Sequence, residues 1–246
     1  MKYQFKKNKG FTLIELLVVI AILGIISSII LFNYSGFNSG VSLDNLSQDI
    51  ALNMRKAQFG AIGVKGINIG GTTVFPGYGV HFQIPSSPNP NLALGSAKSF
   101  VFFADTSGDK TYNQSTSTCN ETNLLPGNEC MDVITITTLD QISAICLNDD
   151  PSQCYGADKS PTLDIVFTRP DPDAHFYFCS STTNCRRDIS SVSIKVKSPK
   201  VDVIREIVVR TTGQISVDSI SNTTPNCVPP QILSGNTCVN SAPIYD

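Results

Sequence analysis

The sequence predicts an α+β protein. A long N-terminal α-helix, transmembrane in its first half and amphipathic in its second, packs on an antiparallel, sandwich-like β-body. Three observations predict this. Residues 11–32 form an apolar run with a single charge, Glu15. Residues 41–61 carry apolar side chains at helical spacing. From residue 72 onward, short alternating runs recur between turn signals, with no βαβ rhythm. The 17 Gly and 14 Pro agree with a loop-rich, β-rich body. A net charge of −2 excludes a generally basic nucleic-acid binder, and 41% hydrophobic content excludes a mainly disordered chain.

The apolar run would make a helix about 33 Å long, against about 30 Å of bilayer hydrocarbon. Residues 1–10 hold four lysines and no acid, which places that end in the cytoplasm. A cleaved secretory signal shares these traits, but its apolar core is usually only about 7–15 residues. No clear small-x-small cleavage site follows the run. Glu15, an ionisable group inside the run, is costly unless it has a use. A plain membrane anchor leaves it unexplained too.

The segment Lys9-Gly10-Phe11-Thr12-Leu13-Ile14-Glu15-Leu16, with its basic leader and following apolar helix, closely resembles the processing site of type IV prepilins and type II secretion pseudopilins. The resemblance implies leader cleavage between Gly10 and Phe11 by a prepilin peptidase, then N-methylation of Phe11. The helix is kept. It implies a single-pass inner-membrane precursor that passes, through an inner-membrane assembly platform, into an extracellular or periplasmic filament of other pilins or pseudopilins. Glu15 would pair with the Phe11 amine of a neighbour and set axial register, as buried polar groups do in coiled coils. Loss of the leader leaves 14 basic against 20 acidic side chains.

In the second half of the helix, Leu43, Leu46, Ile50, Met54, Ala57 and Ala61 are spaced 3, 4, 4, 3, 4 and should pack on the body. Asn33 to Gly40 holds two glycines and is expected to be a local unwinding or hinge. Gly60, Gly63 and Gly66 mark the helix end.

Expected strands are 78–84, 99–104, 133–139, 163–168, 175–179, 192–197, 206–210 and 214–217. The last two read as a hairpin around Thr211-Thr212-Gly213. Long loops are expected at 105–131 and 147–161. This layout is similar to the GspH/FimT-type minor pilins and pseudopilins, through residues 43–61, the stretch from Phe102 to Asp109, and the closing hairpin. The expected organisation is a leader at 1–10, a filament-core helix at 11–32, an amphipathic half at 33–61, an outward-facing body at 62–219 and a disulfide-looped tail at 220–246.

All eight cysteines follow residue 118, and an exported domain would pair them. Sequence alone allows 105 connectivities for eight cysteines. Neighbour pairing is the simplest: Cys119–Cys130, Cys146–Cys154, Cys179–Cys185 and Cys227–Cys238. Each would contribute roughly 2–3 kcal/mol by closing a short loop. Zinc is the rival, without a C-x-x-C or paired His to favour it. Asp105, Ser107 and Asp109 alternate like a shortened calcium loop, and an Asx-type turn is the alternative. Between Arg186 and Arg210, seven basic residues meet three acids. That is either a solvated face or a DNA contact, with few aromatics to favour DNA. His81 and His175 sit in apolar runs and are expected to be structural. No catalytic motif or cofactor signature stands out, so an enzyme is not expected. Loop length and idiosyncratic cysteines favour a minor subunit over a major pilin. An adhesin or DNA-uptake module on the same helix is the alternative, with residues 226–240 as a binding knob.

Overall fold

Apolar residues at helical spacing, with no proline to interrupt them, give one long helix, α1 (Leu13–Ile62). The computed structural model describes residues 10–87, 95–113, 119, 124, 128–181, 183–200 and 202–221, with two short strands beyond them; side chains are not described at 29–37, 220–221 and in those strands. Thr12 caps α1 through a reciprocal box with Glu15. At the far end the Gly63 N–H donates to the Phe59 carbonyl at 2.8 Å. The backbone stays helical through Asn33–Gly40, so the expected hinge there is not formed. Each interior glycine costs about 1 kcal/mol in a helix, and the flanking turns outweigh that.

The 3-4 stripe lies on the body as its spacing requires: Leu43, Ile50, Met54 and Ala57 are fully buried, and Leu46 and Ala61 nearly so. Before it, Phe11, Leu13 and Ile14 are 64–86% exposed, and the apolar side chains from Leu16 to Ile26 are at least 48% exposed. No helix segment with described side chains is long and apolar enough to cross a membrane. That description stops at residue 28, inside the apolar run.

The body holds strands β1 (Ile67–Ile69), β2 (Thr72–Val74), β3 (Gly77–Gln83), β4 (Ser99–Asp105), β5 (Cys130–Thr135), β6 (Gln141–Leu147), β7 (Asp150–Tyr155), β8 (Thr162–Phe167), β9 (Ala174–Ser181), β10 (Asn184–Arg186), β11 (Ser191–Lys197), β12 (Val203–Arg210), β13 (Ile215–Ser221), β14 (Gln231–Ser234) and β15 (Thr237–Asn240). A six-stranded sheet runs β10-β9-β8-β3-β4-β5, and a five-stranded sheet runs β13-β12-β11-β6-β7. All their pairs are antiparallel. β1–β2 and β14–β15 are separate hairpins. One apolar core joins the helix stripe to both sheets, with Phe82, Phe100 and Phe178 from one and Ile145, Ile194 and Ile207 from the other.

The expected strand 133–139 starts earlier and stops at Thr135. There Ile136 turns to donate to the Lys98 carbonyl, and Thr138 bonds Asp140. The expected loop 147–161 contains β7, an edge strand paired to β6. β6 was not expected, yet it lies inside the five-stranded sheet.

At β4 the six-stranded sheet is covered on both faces, since every residue of that strand is buried. One face meets the core and α1. The chain after β4 folds over the other, where Val101, Cys130, Tyr112, Cys119 and Val133 form a second small cluster. At Gly79 of β3 an added Cβ would sit 2.6 Å from the Ile165 carbonyl and 2.7 Å from the Phe103 ring, so only glycine fits. Gly213, at φ +78, turns β12 into β13, and Gln58 of α1 bonds its carbonyl and that of Pro172.

Candidate functional site: the capped apolar helix and the loop over the sheet

Two places concentrate chemistry. The first is the start of α1. The Glu15 carboxylate accepts from Thr12 N at 3.1 Å and Thr12 Oγ1 at 3.0 Å, while Glu15 N donates to Thr12 Oγ1 at 3.3 Å. Gly10 and Phe11 are exposed and precede the first turn. An accessible Gly-Phe bond, then a capped helix with apolar side chains exposed all round, places the expected cleavage, methylation and assembly residues in six consecutive positions.

Residues 5–31 match the family model for the prokaryotic N-terminal methylation motif. The chain carries this motif at its N-terminal end. No curated protein and no solved structure matches the chain. The motif covers the start of α1 as far as residue 31 and nothing of the body. The body is known from its own geometry.

The second place is the loop after β4. Asp105 is buried. Its Oδ1 accepts from Gly108 N at 2.7 Å and Ser107 Oγ at 3.2 Å, and its Oδ2 accepts from Lys110 N at 3.0 Å. Asp109 Oδ1 accepts from Thr111 N at 2.9 Å and Thr111 Oγ1 at 2.6 Å, and its Oδ2 from Asn113 Nδ2 at 2.8 Å. Burial pushes the Asp109 carboxyl up, but these donors together hold it below the usual range. Nearly all the partners of these carboxylates are N–H and O–H donors, whereas a calcium ion needs oxygens turned toward it. No cluster of His, Cys, Asp or Glu suited to a metal occurs among the described residues. The geometry supports the Asx-turn reading of Asp105, Ser107 and Asp109 over the calcium one.

Glu129 pins this loop, and nothing in the sequence marked it. Its side chain is fully buried. Oε1 accepts from Thr106 N at 2.9 Å and Ser107 N at 3.0 Å, and Oε2 accepts from Asn113 N at 2.9 Å. Its backbone continues the tie: Glu129 N donates to Asn113 O, and Ala104 N donates to Glu129 O. Burial raises the Glu129 carboxyl above its usual range, against the pull of these N–H groups. Asp164 anchors the same loop from β8, since its Oδ2 accepts from Tyr112 N at 3.0 Å. Its Oδ1 lies 2.5 Å from His81 Nδ1, and the His81 ring rests on Tyr112 at 4.7 Å. Burial, then the Asp164 and Glu129 charges, push the Tyr112 hydroxyl up. His81 therefore belongs to a buried structural network, as its apolar run suggested.

Among the described residues three disulfides close short loops: Cys119–Cys130, Cys146–Cys154 and Cys179–Cys185. The first ties the covering loop to β5. The other two clip β6 to β7 and β9 to β10 across directly paired positions. The fourth expected pair, Cys227–Cys238, lies outside the residues whose side chains are described.

The basic segment 186–210 does not form one stripe. From the five-stranded sheet, Lys195 meets Glu206 at 4.0 Å, Arg205 pairs with Asp44 of α1, and Arg210 meets Asp149 of the β6–β7 turn at 3.0 Å. Arg186 and Arg187 leave from the edge of the other sheet, over the Phe178 and Tyr177 rings. Among the described residues of 186–210 the basic side chains divide between the two sheets.

Proposed function

We propose that the protein is a structural subunit, a minor pilin or pseudopilin, of a type IV pilus or type II secretion-like filament. The observation that carries this reading is a single helix with two environments. Its second half buries a 3-4 stripe in the body, and its first half exposes apolar side chains at 48–86% from Phe11 to Ile26. Such a surface must be covered by lipid before assembly and by neighbouring helices after it. In this reading residues 1–10 are the leader, removed between Gly10 and Phe11. Phe11 is the methylated terminus, residues 11–32 enter the membrane and then the filament core, and residues 33–61 carry the body at 62–219 with its tail at 220–246. The partners are a prepilin peptidase, an inner-membrane assembly platform and other pilins.

Glu15 has the central part. Before assembly its carboxylate is satisfied by Thr12 of its own chain. Among packed helices a neighbour's Phe11 amine supplies an opposite charge in a low-dielectric setting, where an unpaired charge is expensive. Glu15→Ala is expected to insert in the membrane at wild-type level and to be missing from sheared filaments. Equal incorporation of Glu15→Ala and wild type would refute the pairing. Counting subunits in purified filaments tests the minor role: one copy per many subunits of another pilin is expected, and a majority share would make it the main building block.

A further inference from the structure

We propose that the outer face of the six-stranded sheet carries an oxyanion-binding site formed by Lys110, His175, Tyr177 and Arg187, taking a phosphate group, free or as a terminal ester. His175 and Tyr177 are two apart on β9, so their side chains share one face about 7 Å apart. Both are half-buried, with their β9 neighbours Ala174, Phe176 and Phe178 buried in the core. The loop after β4 brings Lys110 to this pair, and its Nζ lies 3.3 Å from His175 Nε2. Lys110 sits at φ +63, a left-handed backbone that non-glycine residues rarely adopt. The buried Asp105 carboxylate accepts from Lys110 N at 3.0 Å, and Glu129 holds the preceding turn through Ser107 N at 3.0 Å. Arg187 lies over the Tyr177 ring at 4.5 Å and donates through Nη1 to the Asp109 carbonyl at 3.1 Å. A guanidinium has five N–H groups, so four remain for a ligand, in a fork that fits two oxygens of one anion.

Charge favours an anion here. Among the described residues no carboxylate lies within 4 Å of the Lys110 or Arg187 head groups, whereas Lys195, Arg205 and Arg210 on the other sheet each meet one. Asp109 spends its oxygens on Thr111 and Asn113. Asp173 acts on His175 from a distance and does not pair with Lys110. Burial, then the Lys110 charge, holds the His175 imidazole below its usual range, so an anion bound beside the pair would raise it again.

The test is an NMR titration of the full chain in detergent at low ionic strength, following the His175 ring signals. The probes are inorganic phosphate and, separately, glycerol phosphate. Saturable His175 shifts with either probe, with an upward move of its titration midpoint, are expected. The apparent affinity should fall at least tenfold in Lys110→Met and in Arg187→Met, and stay unchanged in Lys197→Met on the other sheet. Saturation by both probes assigns a phosphate ester, and saturation by inorganic phosphate alone assigns a free anion. Shifts that stay linear for both probes and match those from chloride would overturn the proposal, as would a saturable response surviving in the Lys110→Met/Arg187→Met double variant. Should a single variant unfold, Arg187→Lys keeps the charge without the fork and is expected to bind more weakly.

Discussion

Glu129 is the side chain on which the covering loop depends most, and Glu129→Gln isolates its contribution with little change in shape. The carboxylate takes three backbone N–H groups at 2.9–3.0 Å. Glutamine keeps one oxygen. That oxygen can still serve Thr106 N and Ser107 N, but the amide nitrogen then faces the N–H of Asn113, donor against donor. One charge-assisted bond is lost and a part-buried donor is left unmet, at about 1–3 kcal/mol. Relief of a buried charge offsets some of this. For a body of this size the loss lowers the melting temperature by roughly 2–10 °C. Glu129→Ala abandons all three donors and should cost more, about 3–5 kcal/mol. The chain has no tryptophan, so tyrosine emission, including that of Tyr112 in the loop, reports the transition. Thermal unfolding of the full chain in detergent, followed by this signal, measures both variants. Melting of both within about 1 °C of wild type would show that the loop is held by other contacts.

Met54→Ala removes a fully buried side chain where α1 meets the body, and is expected to cost about 2–5 kcal/mol in the same melt. Replacing Cys119 and Cys130 together by serine should cost roughly 2–3 kcal/mol through the loop they close, and should raise the proteolysis rate between residues 106 and 128. The His175 imidazole is held below its ordinary value by burial and Lys110, so the folded state binds fewer protons than the unfolded chain just below that value. Stability should therefore fall as pH drops through the ordinary histidine range, and Lys110→Met should flatten that dependence in melts run at stepped pH.

The helix was legible because two strong patterns write it: an uninterrupted apolar run, and a 3-4 stripe whose every member is buried. Its continuity through Asn33–Gly40 was not legible, because glycine signals a local preference and the flanking turns outvote it. A strand with clean alternation, such as β11, lies close to its expected position, whereas β12 begins three residues before its expected start. β6 was not legible because its run QISAICL follows a polar turn and loses its alternation after Ser143. β7 escaped because DPSQCY has the composition of a loop and becomes a strand only by pairing with β6 across the Cys146–Cys154 link. Sheet order is set by pairing between distant segments, as when β3 joins β8, and no local pattern carries it. The same holds for the chemistry. Gly10, Phe11 and Glu15 are contiguous and legible as a motif. Glu129 reaches back sixteen positions to Asn113, and Lys110 meets His175 across sixty-five, so only the fold brings them together.

The account turns on the apolar helix being retained, processed and seated against its neighbours. Mass analysis of the protein recovered from assembled filaments tests this most directly. The expected N-terminal peptide begins at Phe11 and carries one added methyl group. A chain that starts beyond residue 32, or one that still bears residues 1–10 within a working filament, would contradict it.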